Sequence, residues 1–236
     1  MRAFVEGTAA AEHGITPICA QFGHNISAVC EQLANLPVPP RDTSAPLRMI
    51  CIRSFDINRP GVRAHELRGG VVGGAIRQGV LLKGMEFEIR PGLIGRDATG
   101  HMICTPLRSR VESLLSESVS LEKALPGGLI GVGTHIDPWL AKEDRLKGQV
   151  LGLVGSLPPI FIEITVRQAL MRRVVAGSQS QKGDGCKTEK PAKLRAGEQV
   201  LLSVGAASFA GKVLRMEANG CACLALQKPI CADVGE

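Results

Sequence analysis

From Leu47 onward the sequence is built on a period of two, and glycines punctuate it. Leu47–Phe55, Gly70–Leu82, Met85–Arg90, Met102–Leu107, Val111–Leu115, Leu129–Gly133 and Val150–Val154 alternate apolar with polar residues or form short β-rich runs. Paired glycines at 69–70, 73–74 and 127–128 separate them. Side chains of period two line the two faces of a strand, and many short strands at near-regular spacing predict a closed antiparallel barrel or sandwich. A second β segment follows Pro158-Pro159, with a strand expected over Ile160–Val175 and others over Val200–Val204, Gly211–Glu217 and Cys221–Leu226.

The period differs before Leu47. Ile26, Val29, Cys30 and Leu33 recur at helical spacing, so a helix is expected over Asn25–Leu36, preceded by a short strand at Ile15–Cys19. Pro37-Val38-Pro39-Pro40 stops that helix, and the chain through Pro46 reads as a stiff extended linker. The expected organisation is an α/β piece over 1–36, a linker over 37–46, a β-barrel over 47–157, and a second barrel over 158–236 whose last strand is missing. An open barrel exposes an unpaired edge. The polar stretch 178–193 reads as a solvated surface loop, and over Lys182–Arg195 five basic residues (Lys182, Lys187, Lys190, Lys193, Arg195) against Asp184 and Glu189 give it a basic character suited to an anionic surface.

Composition narrows the function classes. With 44% apolar residues among 236 the chain is no disordered segment, and its 28 glycines argue against a long helical bundle. Six Phe, one Trp and no Tyr count against an aromatic platform for single-stranded nucleic acid. The net charge of +6 is a mild pull toward phosphates. No apolar run is long enough for a membrane span, and no signal peptide is evident at the N-terminus. The eight cysteines include no C-x-x-C pair, which reads as thiols in a reducing cytosol. Cys221, Cys223 and Cys231 lack a fourth neighbour for zinc, and the five histidines fall at no metal or catalytic spacing. No catalytic residues and no metal site are expected.

The longer strings carry more. PVPPRD (37–42), IRSFDINRPG (52–61), LRGGVVGGAIRQGVL (67–81), EIRPG (88–92), PGGLIGVGTHIDP (126–138) and DRLKGQVLGLVGSLP (144–158) run through the chain in this order. With them the whole chain resembles the gamma subunit of eukaryotic and archaeal translation initiation factor 2. The resemblance implies the end of an α/β GTP-binding domain followed by two barrels of the elongation-factor-Tu type. It implies that the complete protein binds GTP with Mg²⁺ and delivers initiator methionyl-tRNA to the small ribosomal subunit in the cytoplasm. It further implies an alpha subunit docked on the first barrel and a beta subunit docked on the GTP-binding domain.

Carried over residue by residue, the resemblance makes Cys19-Ala20-Gln21 the counterpart of a guanine-binding tripeptide, with the Ala20 amide as donor to the base. Cys19 departs from the usual serine, and a thiol is a poor hydrogen-bond donor. Arg53, Arg59, Arg63 and Arg68, clustered in the opening loops of the first barrel, are the candidates for tRNA phosphates or a partner, together with Asp56 and Asp137. Asp137, before Pro138, suits a turn cap equally well. The sequence holds no G-x-x-x-x-G-K-[ST], and no D-x-x-G or N-K-x-D precedes Cys19. The resemblance therefore places the phosphate-binding residues upstream of Met1, and this chain alone is not expected to bind GTP tightly or hydrolyse it. A stand-alone module without a nucleotide switch and a fragment of a selenocysteine-specific elongation factor are the alternatives.

Overall fold

The computed structural model describes residues 5–6, 10–169, 194–217 and 220–234, in two compact units. One comprises Met1–Pro40 with Ala169–Lys193, and the other Arg41–Gln168 with Leu194–Glu236.

The first unit carries helix α1 (Ile26–Ala34), close to the expected bounds. Asn25 ahead of it is left-handed (φ 64°), and its Nδ2 donates to the Pro17 carbonyl rather than capping the helix. The strand expected at Ile15–Cys19 is not formed. Cys19 makes one isolated antiparallel bridge to His24, and Pro17, having no N–H, cannot extend a ladder through the run.

In the second unit the barrel is closed. Its strands are β1 (Arg48–Phe55), β2 (Val71–Gln78), β3 (Leu81–Leu82), β4 (Glu86–Arg96), β5 (Met102–Ser116), β6 (Val119–Leu121), β7 (Lys123–Ala124), β8 (Ile130–Thr134) and β9 (Val150–Gly152). The order β4-β9-β1-β2-β8-β5 returns to β4 through an antiparallel β4–β5 pairing, leaving six strands around one core. β6 extends the sheet beyond β5, and β3 pairs with β7 as a separate ribbon. Met49, Cys51, Val72, Phe87, Ile89, Leu114, Val132 and Leu151 fill the interior, each fully buried. The Cys51 thiol there is pushed up to about 12 by burial alone.

A register shift in β1 decides what faces outward. Cys51 pairs with Gly74 and Arg53 with Gly73, so Ile52 is the extra residue of a bulge. Inside the barrel the pattern thus passes from Met49 and Cys51 to Ser54, and Arg53 turns to the outside. The buried Ser54 hydroxyl accepts the Leu146 amide at 3.1 Å.

The expected Gly70–Leu82 run is two strands, broken where Gly79 takes φ 76°. The two expected pieces Met102–Leu107 and Val111–Leu115 are one long strand, β5. After the barrel, β10 (Ile160–Arg167), β11 (Gln199–Val204), β12 (Ala207–Met216) and β13 (Cys221–Cys231) form an antiparallel sheet in the order β10-β13-β12-β11. Phe209, Val213, Ala222, Leu224 and Ile230 make its core. β10 ends at Arg167, short of the expected Val175; residues 170–175, like Lys182–Lys193 of the basic loop, lie outside the described residues.

The connector between barrel and sheet is clamped by a buried ion pair. Glu88, 1% exposed, meets Arg90 Nη2 at 2.8 Å and accepts the Gly155 amide at 3.1 Å. Arg90 Nη1 donates to the carbonyls of Leu157 (2.8 Å) and Pro158 (3.0 Å). A charge this deep is tolerable because its partners are fixed around it.

Candidate partner-binding groove

On the outside of the barrel, where β1, β2, β8 and β5 run together, lies a groove of about 750 Å³. Phe55, Ile57, Leu115 and Leu129 line it, all more than 40% exposed, so four large apolar side chains face water around one depression. Such clustering is unusual for an isolated surface and marks a contact site. Glycine sets its depth. Side chains at Gly73 and Gly131 would meet only ordinary contacts, the nearest being Arg53 Cβ at 3.7 Å and the Leu115 carbonyl at 3.7 Å. Their absence leaves the floor open. Gly69 and Gly74 differ, because a Cβ there would run into the backbone carbonyls of Thr134 and Ile50. These two are needed for strand packing.

Two guanidinium groups border the groove, those of Arg53 and Arg68. Arg53 is held. Its Nε donates to Asp144 Oδ1 at 2.9 Å, and the same oxygen accepts the Ser54 amide at 2.9 Å. The Ser54 amide first, and Arg53 after it, keep the Asp144 carboxyl below the usual range. Glu143 and Asp144 both adopt left-handed backbone (φ 57° and 59°), a costly conformation for these residues that delivers the carboxylate to β1. Glu112 and Glu117 also border the groove, so its rim is of mixed sign.

Arg68 sits at the end of a loop that begins at Asn58. Asn58 Oδ1 accepts the Arg68 amide at 2.8 Å, and Asn58 Nδ2 donates to the Arg68 carbonyl at 2.7 Å. Asp56 orients that amide: its Oδ1 accepts Asn58 N at 2.8 Å and Asn58 Nδ2 at 2.7 Å. Arg59 and Arg63 are exposed on the loop, and among the described residues no carboxylate pairs with Arg59, Arg63 or Arg68.

Of the expected residues, Arg53 and Arg68 line the groove, Asp56 serves the 58–68 loop from within through Asn58, and Arg59 and Arg63 lie exposed on that loop outside the groove lining. Asp137 is engaged elsewhere. It caps the short helix α2 (Pro138–Ala141), its Oδ1 accepting the Trp139 amide at 2.9 Å. Sequence reasoning missed Asn58, although D-x-N spacing suits a side chain that folds back on its own backbone. It also missed Leu129 and Phe55, whose apolar character at exposed positions is the available signal.

In the other unit, Cys19-Ala20-Gln21 lies on a tight turn closed by Cys19 and His24. Their amides and carbonyls exchange bonds of 3.2 and 3.0 Å, and Gly23 N donates to the Ala20 carbonyl at 3.2 Å. Ala20 is exposed, and its amide donates to none of the described groups. One amide is not a nucleotide site. Among the described residues there is no glycine-rich phosphate cradle with its lysine, and no cluster of three His, Cys, Asp or Glu suited to a metal ion. The residues present do not fit GTP and Mg²⁺ by themselves. No described helix is long and apolar enough to cross a membrane.

Comparison with known proteins agrees with this layout. Residues 162–236 match the family model for initiation factor eIF2 gamma, C terminal. The chain is 45% identical over 234 residues to eukaryotic translation initiation factor 2 subunit 3 of Drosophila melanogaster, covering 99% of this chain and 48% of that protein. It thus spans about half the length of the curated relative it matches. Among solved structures, elongation factor SelB of Methanococcus maripaludis is similar with a TM-score of 0.68 as its complex with the GTP analogue GppNHp, at 17% identity, over 100% of this chain and 48% of that one. A bacterial selenocysteine-specific elongation factor, EF-Sec, matches with a TM-score of 0.64 at 17% identity, over 100% of this chain and 32% of that one. At that identity the likeness is one of fold alone.

Proposed function

The chain belongs to the gamma-subunit family of translation initiation factor 2, and we propose that its barrel serves initiation by seating the acceptor end of initiator methionyl-tRNA in the groove of β1, β2, β8 and β5. The observation that carries this is the pairing of an apolar, glycine-floored depression with an arginine-bearing loop at its rim. A flat base is favoured against Phe55, where stacking on an aromatic ring contributes about 1–3 kcal/mol per base, and an apolar aminoacyl group against Ile57 and Leu129. Guanidinium groups suit the adjoining phosphates because they donate in a planar fork.

GTP and Mg²⁺ belong, on this reading, to the complete protein, held by residues that this sequence does not contain. The barrel also offers the docking surface for the alpha subunit, while the beta subunit engages the GTP-binding domain. The assembly works on the small ribosomal subunit in the cytoplasm. Hydrogen exchange of the chain with and without a tRNA acceptor-stem hairpin tests the placement. Protection is expected at 71–74 and 129–133, and protection confined to other strands would overturn it.

A further inference from the structure

The loop that carries Arg59, Arg63 and Arg68 is closed by a single side chain. Asn58 uses its carbonyl oxygen on the Arg68 amide and both hydrogens of its Nδ2 on the Arg68 carbonyl and Asp56 Oδ1. An aspartate lacks the donors and a leucine lacks both functions, so the two-way bond is specific to the carboxamide. Three other arginines of the barrel are paired with carboxylates: Arg53 with Asp144, Arg90 and Arg108 with Glu88. The three on this loop have no such carboxylate among the described residues.

We infer that Asn58 is a positioning residue, one that holds the loop so that Arg59, Arg63 and Arg68 present a preformed cationic array to an RNA phosphodiester backbone at the mouth of the groove. This rests on reading the groove as the seat of an RNA acceptor end. A loop ordered before binding does not lose that freedom again when the RNA arrives, so the clamp raises affinity without touching the ligand. Phosphodiester is the chemistry favoured, because three unneutralised guanidinium groups on one loop demand several anionic groups in a row.

The test is the salt dependence of binding of a fluorescein-labelled tRNA acceptor-stem hairpin to the purified chain. Arg59→Ala and Arg63→Ala are each expected to make the log Kd against log salt slope shallower by about one. Asn58→Leu, which changes no charge, is expected to make it shallower by about two, with Arg59→Ala then adding little in that background. A wild-type slope in Asn58→Leu, or full additivity with Arg59→Ala, overturns the inference. Should Asn58→Leu lower the thermal unfolding midpoint, Asn58→Ala replaces it under the same criteria. If the slope ignores Arg59 and Arg63 too, the RNA reading of the groove fails. If those two matter and Asn58 does not, only its positioning role fails.

Discussion

Arg53 and Asp144, 91 residues apart, meet at 2.9 Å, and the same carboxylate oxygen takes the amide of Ser54. One aspartate thereby fixes both the bulged end of β1 and the guanidinium at the rim of the groove. It reaches them only because Glu143 and Asp144 accept left-handed backbone.

The pH dependence of stability follows from that contact. The Asp144 carboxyl titrates below its ordinary value in the folded chain, as do Asp42, held by Ser44, and Asp97, held by Thr99. For a depressed carboxyl the stabilisation is complete above the unfolded-state value, near 3.8, and drains away as pH falls through the folded value. Urea unfolding at pH 7 and pH 3 is expected to show a smaller acid-induced loss for Asp144→Asn than for wild type. An equal loss in both would dissociate Asp144 from the acid limb.

Two glycines of the same strand separate packing from binding. Gly74→Ala drives a methyl group into the Ile50 carbonyl and is expected to cost about 1–3 kcal/mol. Gly73→Ala meets only ordinary contacts, the nearest Arg53 Cβ at 3.7 Å, and is expected to lie within about 0.5 kcal/mol of wild type. Denaturant midpoints of the two variants, measured side by side, check the distinction.

Arg90 neutralises a carboxylate that no solvent reaches. Arg90→Met leaves the buried Glu88 with only the longer contact to Arg108 Nε at 3.9 Å, at an expected cost of about 3–5 kcal/mol. Replacing both residues by Met is expected to cost less than Arg90→Met alone, because the stranded charge is then gone. Calorimetric melting of the single and double variants decides it. A double variant weaker than the single would show that the bonds to Leu157 and Pro158, not the charge, dominate.

Much of this fold is legible in the sequence because alternation and glycine pairs are local signals. The barrel strands are read that way, and helix α1 from the helical spacing of Ile26, Val29, Cys30 and Leu33. Strand ends are less legible. β5 runs unbroken from Met102 to Ser116 although Pro106 and Arg108-Ser109-Arg110 dilute the pattern, because β4 supplies a partner along most of its length. The arginines of the groove are legible as a cluster along the chain. Their inequality is not, since it depends on Asp144 arriving from 91 residues away to take Arg53 and on Asn58 closing the loop beneath Arg68. Asp137 shows the reverse case. As a residue before proline it satisfies both a binding and a capping role on paper, and the Trp139 amide claims it.

The most direct measurement is the affinity of the purified chain for a tRNA acceptor-stem hairpin after the groove has been filled. Gly131→Leu places an apolar side chain over the floor, where a Cβ meets only ordinary contacts. If the groove seats the acceptor end, affinity falls by about tenfold or more, the loss of one stacked base, while the salt slope set by the arginine loop stays as it is. Undiminished affinity in a variant with wild-type thermal stability would contradict the assignment of the groove.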